Sequence, residues 1–98
     1  MPEFGNSFSG LANDRKVTHS ELVRAIRYSI AAEYEAIQLY EQLAESTGNE
    51  LAGKVLLDIA REEVVHAGEF LRLLKELPPD EQDNYEQGAE EVEEMIVQ

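Results

Sequence analysis

The segment from Asn49 to Leu77, NELAGKVLLDIAREEVVHAGEFLRLLKEL, constrains the fold more than any other part of the chain. Ala52, Val55, Leu56, Ile59, Phe70, Leu73, Leu74 and Leu77 recur at steps of three and four, the spacing that lines one face of an α-helix. Asn49 can cap the start of that helix. Pro78-Pro79 must end it, because proline lacks the donor the helix needs and pushes the preceding residue toward extended backbone. A helix with one apolar stripe gains most of its stability by packing that stripe against another element.

The partner lies just upstream. Thr18-His19-Ser20-Glu21 reads as a capping box, with Thr18 as N-cap and Glu21 reaching back from the third helical position. Leu22, Ile26, Ser29, Ile30, Glu33, Ala36, Ile37, Tyr40, Leu43 and Ala44 then follow helical spacing, which predicts a helix over about 19–46 with Gly48 just past its end. Only a few residues join the two helices, so they should pack antiparallel as a hairpin. Asp80 can cap a third, shorter helix with Tyr85, Ala89, Val92 and Ile96 on one side. The run Glu90-Glu91 and Glu93-Glu94 reads as its solvated face. Residues 1–17 lack periodicity and are expected to form a flexible arm, residues 18–79 the hairpin and residues 80–98 the C-terminal helix. The fold class is therefore all-α. Two helices enclose little core, so a four-helix bundle formed by dimerisation is expected.

Two carboxylates and an imidazole interrupt the stripes. Steps of about 100° per residue put Glu33 in line with Leu22, Ile26, Tyr40 and Ala44. Glu63 falls in line with Ala52, Leu56, Phe70 and Leu74, while His66 lies about 60° round, still on the stripe. Glu62 sits at the edge and Glu69 points away. Glu33, Glu63 and His66 are therefore expected to face the core, where an unpaired carboxylate costs several kcal/mol. An ordinary buried ion pair with His66 is one solution. Lys54, Arg61, Arg72 and Lys75 lie off the stripe, however, and one imidazolium cannot neutralise two carboxylates. Metal is the other solution. A two-fold dimer would gather four carboxylates and two imidazoles, which two divalent ions balance, and this donor set suits iron or manganese without excluding zinc.

Composition narrows the alternatives. Eight basic residues against 21 acidic ones give a net charge of −13, which disfavours nucleic acid and anionic membrane surfaces as partners. The absence of cysteine removes disulfide, thiolate and iron–sulfur chemistry. No apolar run approaches the ~20 residues of a membrane span, so a cytoplasmic location is the expectation.

At AAEYEAIQLYEQLAE on the first helix and IAREEVVHAGEFLRLL on the second, the chain resembles the ferritin-like superfamily, in particular the encapsulated ferritins. The resemblance covers about residues 20–77. It implies a half-length ferritin with one metal-binding hairpin per chain, and it makes Glu33, Glu63 and His66 the ligands of a di-iron ferroxidase site shared across a dimer. By the same resemblance Tyr40 becomes the aromatic beside the site, although core packing would also explain it. Glu35 matches one acid of an outer metal-entry site; the second acid would stand at position 32, where this chain has alanine. Iron is the implied metal, with other divalent ions able to take its place. The implied partners are further copies of the chain, as a ring of five dimers, and an encapsulin shell in whose compartment the protein would reside. The ending EEMIVQ does not resemble a shell-targeting peptide. A rubrerythrin-like di-iron peroxidase and a non-catalytic helical dimerisation module are the competing functions.

Overall fold

The computed structural model describes residues 14–97; residues 1–13 of the expected arm, and Gln98, lie outside them. Three helices and no strand occur among the described residues: α1 (His19–Ser46), α2 (Glu50–Glu76) and α3 (Glu81–Ile96). The local signals act as expected. Glu21 N–H donates to Thr18 Oγ1 at 3.1 Å and Thr18 N–H donates to Glu21 Oε1 at 2.8 Å, closing the capping box. Arg15 grips the same Glu21 carboxylate with two hydrogen bonds of 2.7 Å. Ala52 N–H donates to Asn49 Oδ1 at 2.9 Å, capping α2. Asp80 occupies the cap position of α3 but makes no side-chain cap bond, a departure from expectation. Its backbone is already helical, which turns the carboxylate away from the amides it would cap. The start of α3 is held instead by Arg27 of α1, which bonds Glu81, and by the Tyr85 hydroxyl on the same carboxylate.

α1 and α2 pack side by side as an antiparallel hairpin. Val23, Ile26, Ile30 and Leu74 form the core, with Leu22, Phe70 and Leu77 half-buried against it. This cluster lies at the end of the hairpin away from the 47–49 turn. Ala60 and Ala67 are also buried, at 4% and 3% exposure. The stripe drawn from the sequence is thus rotated from the one the hairpin uses. Val23, Ala60 and Ala67 belong to the contact, whereas Leu43, Val55 and Leu73 stay exposed. Small side chains at 60 and 67 let the helix axes approach, and the larger residues fall to either side. The least dimension of the molecule is 20 Å, about two helix diameters, so no side chain lies deep. α3 buries none of its residues. No helix among the described residues is long and apolar enough to cross a membrane.

Candidate metal centre

Midway along the hairpin, beside the close approach at Ala60 and Ala67, α1 presents Glu33 opposite Glu63 of α2. His66 follows Glu63 by three residues, so one helical turn brings both to the same level. His66 Nδ1 stands 3.9 Å from Glu33 Oε2 and 3.9 Å from Glu63 Oε1. One donor atom from each of the three lies within 4.8 Å of the others. Separations of 3.9 Å are too long for hydrogen bonds. His66 thus stands within ion-pair range of both carboxylates but hydrogen-bonds to neither.

Glu33 Oε2 is buried and has no hydrogen-bond partner. Such an oxygen carries its full desolvation cost unless something else meets it. The spacing fits a cation as that missing partner, because ligands each about 2.1 Å from one ion stand about 3–4 Å apart. Two carboxylates and one imidazole combine hard oxygen with a borderline nitrogen, a set that takes iron, manganese or zinc. The residues present fit a divalent metal.

Both glutamate side chains are 19% exposed, but His66 is 50% exposed. Sequence spacing put all three toward the core; the histidine instead lies on the rim. The site therefore opens on one face of the hairpin. Helical geometry puts Leu43, Val55 and Leu73 on that same face, and all three are exposed. Three donors from one chain would leave further coordination positions of a bound cation open on that side.

The other expected site residues lie apart from this group. Tyr40 is half-buried two turns beyond Glu33, about 10 Å along α1. Glu35 is half-buried and projects from another side of α1 than Glu33, so it does not belong to the cluster. Ala32 is half-buried. Glu62 and Glu69 are exposed and off the site, as their positions on the helix predict. The residues that sequence spacing missed are Ala60 and Ala67. The one available signal was their seven-residue separation, in register with Leu74.

Comparisons with known proteins identify the family and the fold. A family model described as rubrerythrin matches residues 24–97. The chain is 45% identical over 82 residues to a ferritin-like-encapsulin shell fusion protein of Pyrococcus furiosus, an alignment covering 84% of this chain and 24% of that protein. It is 41% identical over 81 residues to the encapsulin nanocompartment cargo protein EncC of Myxococcus xanthus, covering 83% of this chain and 61% of EncC. The chain thus spans less than two thirds of either relative's length. The crystal structure of the encapsulated ferritin domain from Pyrococcus furiosus superposes with a TM-score of 0.82 at 41% identity, over 93% of each chain.

Proposed function

The chain belongs to the rubrerythrin family of ferritin-like domains, and from that premise we propose that it oxidises ferrous iron at a site shared between two copies. The observation that carries this reading is the group Glu33, Glu63 and His66, with a buried Glu33 Oε2 that has no hydrogen-bond partner and with an open side. Two copies related by a two-fold axis would supply four carboxylates and two imidazoles. Two ferrous ions are the substrate. Glu33 and Glu63 would hold and neutralise them, and each His66 would add a nitrogen donor. Each ion loses one electron, and dioxygen or peroxide takes the pair together with protons from solvent. The clustered carboxylates favour the more highly charged ferric product, which supplies part of the driving force. Tyr40, on the same line of α1, is assigned to the aromatic wall of the site.

Residence inside an encapsulin compartment is supported by the names of the two relatives, one a fusion to a shell protein and the other a compartment cargo. There the ferric product would be stored. Glu35 is assigned a secondary role in admitting iron, with Ala32 leaving that role without its second acid.

The test is ferrous oxidation by the metal-stripped protein at several protein concentrations. A shared site predicts one iron oxidised rapidly per chain and a rate per chain that falls on dilution as dimers dissociate. Rapid oxidation that is independent of dilution, by a species sedimenting as a monomer, overturns the shared site. Oxidation no faster than in buffer overturns the ferroxidase reading and favours the non-catalytic dimerisation module.

A further inference from the structure

The two long helices meet along a seam that repeats every seven residues. α2 turns Gly53, Ala60, Ala67 and Leu74 toward α1, and the last three are its buried residues. α1 answers with Val23, Ile30, Ile37 and Ala44, buried or half-buried at the same interval. A seven-residue repeat keeps one line of contact running along two helices. The ends of the seam set its register. Val23 and Leu74 share one cluster, and a Cβ added to Gly53 would stand 3.8 Å from the Ala44 carbonyl oxygen. That register puts Ile30 opposite Ala67 and Ile37 opposite Ala60.

Side-chain volume falls along this seam. Valine faces leucine at the far end, isoleucine faces alanine in the middle, and alanine faces glycine at the turn. Packed helix axes stand about 8–10 Å apart, and the side chains at the contact decide where in that range they lie. The grading allows a close approach at the turn, where Gly53 nearly meets backbone, and a wider one at Leu74.

The metal-binding group sits between the two alanine layers. Glu33 follows Ile30 by three residues and precedes Ile37 by four, and Glu63 stands in the same relation to Ala60 and Ala67. Axis spacing at these layers therefore fixes how far Glu33 must reach to approach Glu63 and His66. Zinc takes carboxylate oxygens at about 2.0–2.2 Å, and the larger manganese ion needs them further out. A site of this kind must be held to within about 0.5 Å. Exchanging alanine for a larger side chain moves packed helices by more than that, because the range of axis spacings spans about 2 Å.

We propose that Ala60 and Ala67 are positioning residues that set the spacing of Glu33 from Glu63 and His66, and so set which divalent ion the site prefers. The inference rests on reading this group as a metal site, which the buried Glu33 Oε2 without a hydrogen-bond partner supports independently of the seam. Neither alanine is a donor; each acts through the distance between donors on two helices. Larger apolar residues at 60 and 67 would bury more surface, but they would hold the two glutamates apart. Leu74 belongs to the same seam and is equally buried, yet it lies about 16 Å along α2 from Glu63. It separates a positioning role from a purely structural one.

The test is calorimetric titration of the metal-stripped full chain with zinc and, separately, with manganese, at one fixed protein concentration. Wild type should bind zinc more tightly, following the usual order of affinities for such donors. Ala60→Val and Ala67→Val should each weaken zinc more than manganese, lowering the preference for zinc at least about fivefold. Ile37→Ala combined with Ala60→Ile keeps the summed volume of that layer and should restore the preference to within about twofold of wild type. Leu74→Val should lower Tm and leave the preference unchanged. Ala60→Ser, a smaller step, replaces any valine variant that circular dichroism shows to be unfolded, with a shift of the same sign of about twofold. Folded valine variants with the wild-type preference overturn the proposal and leave the metal site standing. A Leu74→Val shift as large as that of Ala60→Val also overturns it, because stability alone then moves the preference. A wild type that binds neither ion overturns the metal-site reading and the proposal with it.

Discussion

Replacing Glu33 by methionine should stabilise the metal-free protein and abolish most of its stabilisation by iron. The substitution keeps a stem of similar length and deletes a carboxylate whose Oε2 is buried without a hydrogen-bond partner, at the cost of a loose 3.9 Å pairing with His66. An unsatisfied buried acceptor costs about 1–3 kcal/mol. Exchanging a buried charge for an apolar group of similar volume is often stabilising by about 1–4 kcal/mol. The Glu33 side chain keeps 19% exposure, so partial solvation places the gain near the lower end, about 1–2 kcal/mol. In a domain of this size each kcal/mol moves Tm by about 4–8 °C, giving a rise of roughly 4–15 °C without metal. With iron the sign reverses. Wild type gains about 2.7 kcal/mol when free metal stands at a hundredfold excess over its Kd, and the variant should gain little. The assay is a pair of thermal melts for each protein, one with chelator and one with ferrous iron under argon. Protein concentration is held fixed, because dimerisation is linked to folding. A metal-free variant that melts below wild type would show that Glu33 has a stabilising partner after all. Equal stabilisation of both proteins by iron would remove Glu33 from the ligand set.

Four further outcomes are expected. Glu63→Ala and His66→Ala should each lower the initial rate of ferrous oxidation by more than the about 10–100-fold typical of outer-shell partners. Glu62→Ala and Glu69→Ala, exposed acids of the same helix, should stay near wild type; equal damage at 62 and 63 would refute the facial assignment. Glu35→Ala should slow oxidation about twofold at most, because Glu35 lies outside the cluster of Glu33, Glu63 and His66, and a loss as large as that of Glu63→Ala would make it a ligand. The Arg15 guanidinium, followed by the Thr18 amide, lowers the Glu21 carboxyl from 4.5 to about 2. A lowered folded value means that the cap's contribution is complete above the ordinary value and is lost as pH falls from 4.5 toward 2. An NMR titration of Glu21 should show that window, and Arg15→Ala should move it upward. Ala67→Leu should destabilise the hairpin by about 1–3 kcal/mol in urea unfolding, because the site is 3% exposed and has no room for three more carbons.

The helices were legible in the sequence because their ends are set locally. Thr18 with Glu21, Asn49, and Pro78-Pro79 act on backbone groups within a turn, so no tertiary knowledge is needed to place them. Asp80 shows the limit of that logic, since backbone conformation decides whether a carboxylate can reach the amides it would cap. The site was legible in its residues but not in its exposure. Glu33, Glu63 and His66 converge as their spacing implies, yet His66 lies at the rim of the chain. The reason is the width of the apolar surface. On α2 it runs from Val55 and Leu73, past Leu74, to Leu57 and Val64, an arc of about 200° at 100° per residue. The hairpin covers only the middle of this arc, around Ala60, Ala67 and Leu74. Periodicity records every surface that will be buried, in the chain or between chains, and cannot divide them. Alanine deepens the ambiguity, since it is common both inside proteins and on exposed helices. The division places Glu33 and Glu63 at the edge of the covered zone and His66 just beyond it. On the proposed shared site, the group is held in position by one chain and finished by another, which links metal binding to assembly. In the proposed dimer, removing metal would leave converging carboxylates to repel across the two-fold axis, and chelation should therefore loosen that dimer. A sedimentation profile unchanged by chelation would contradict that linkage.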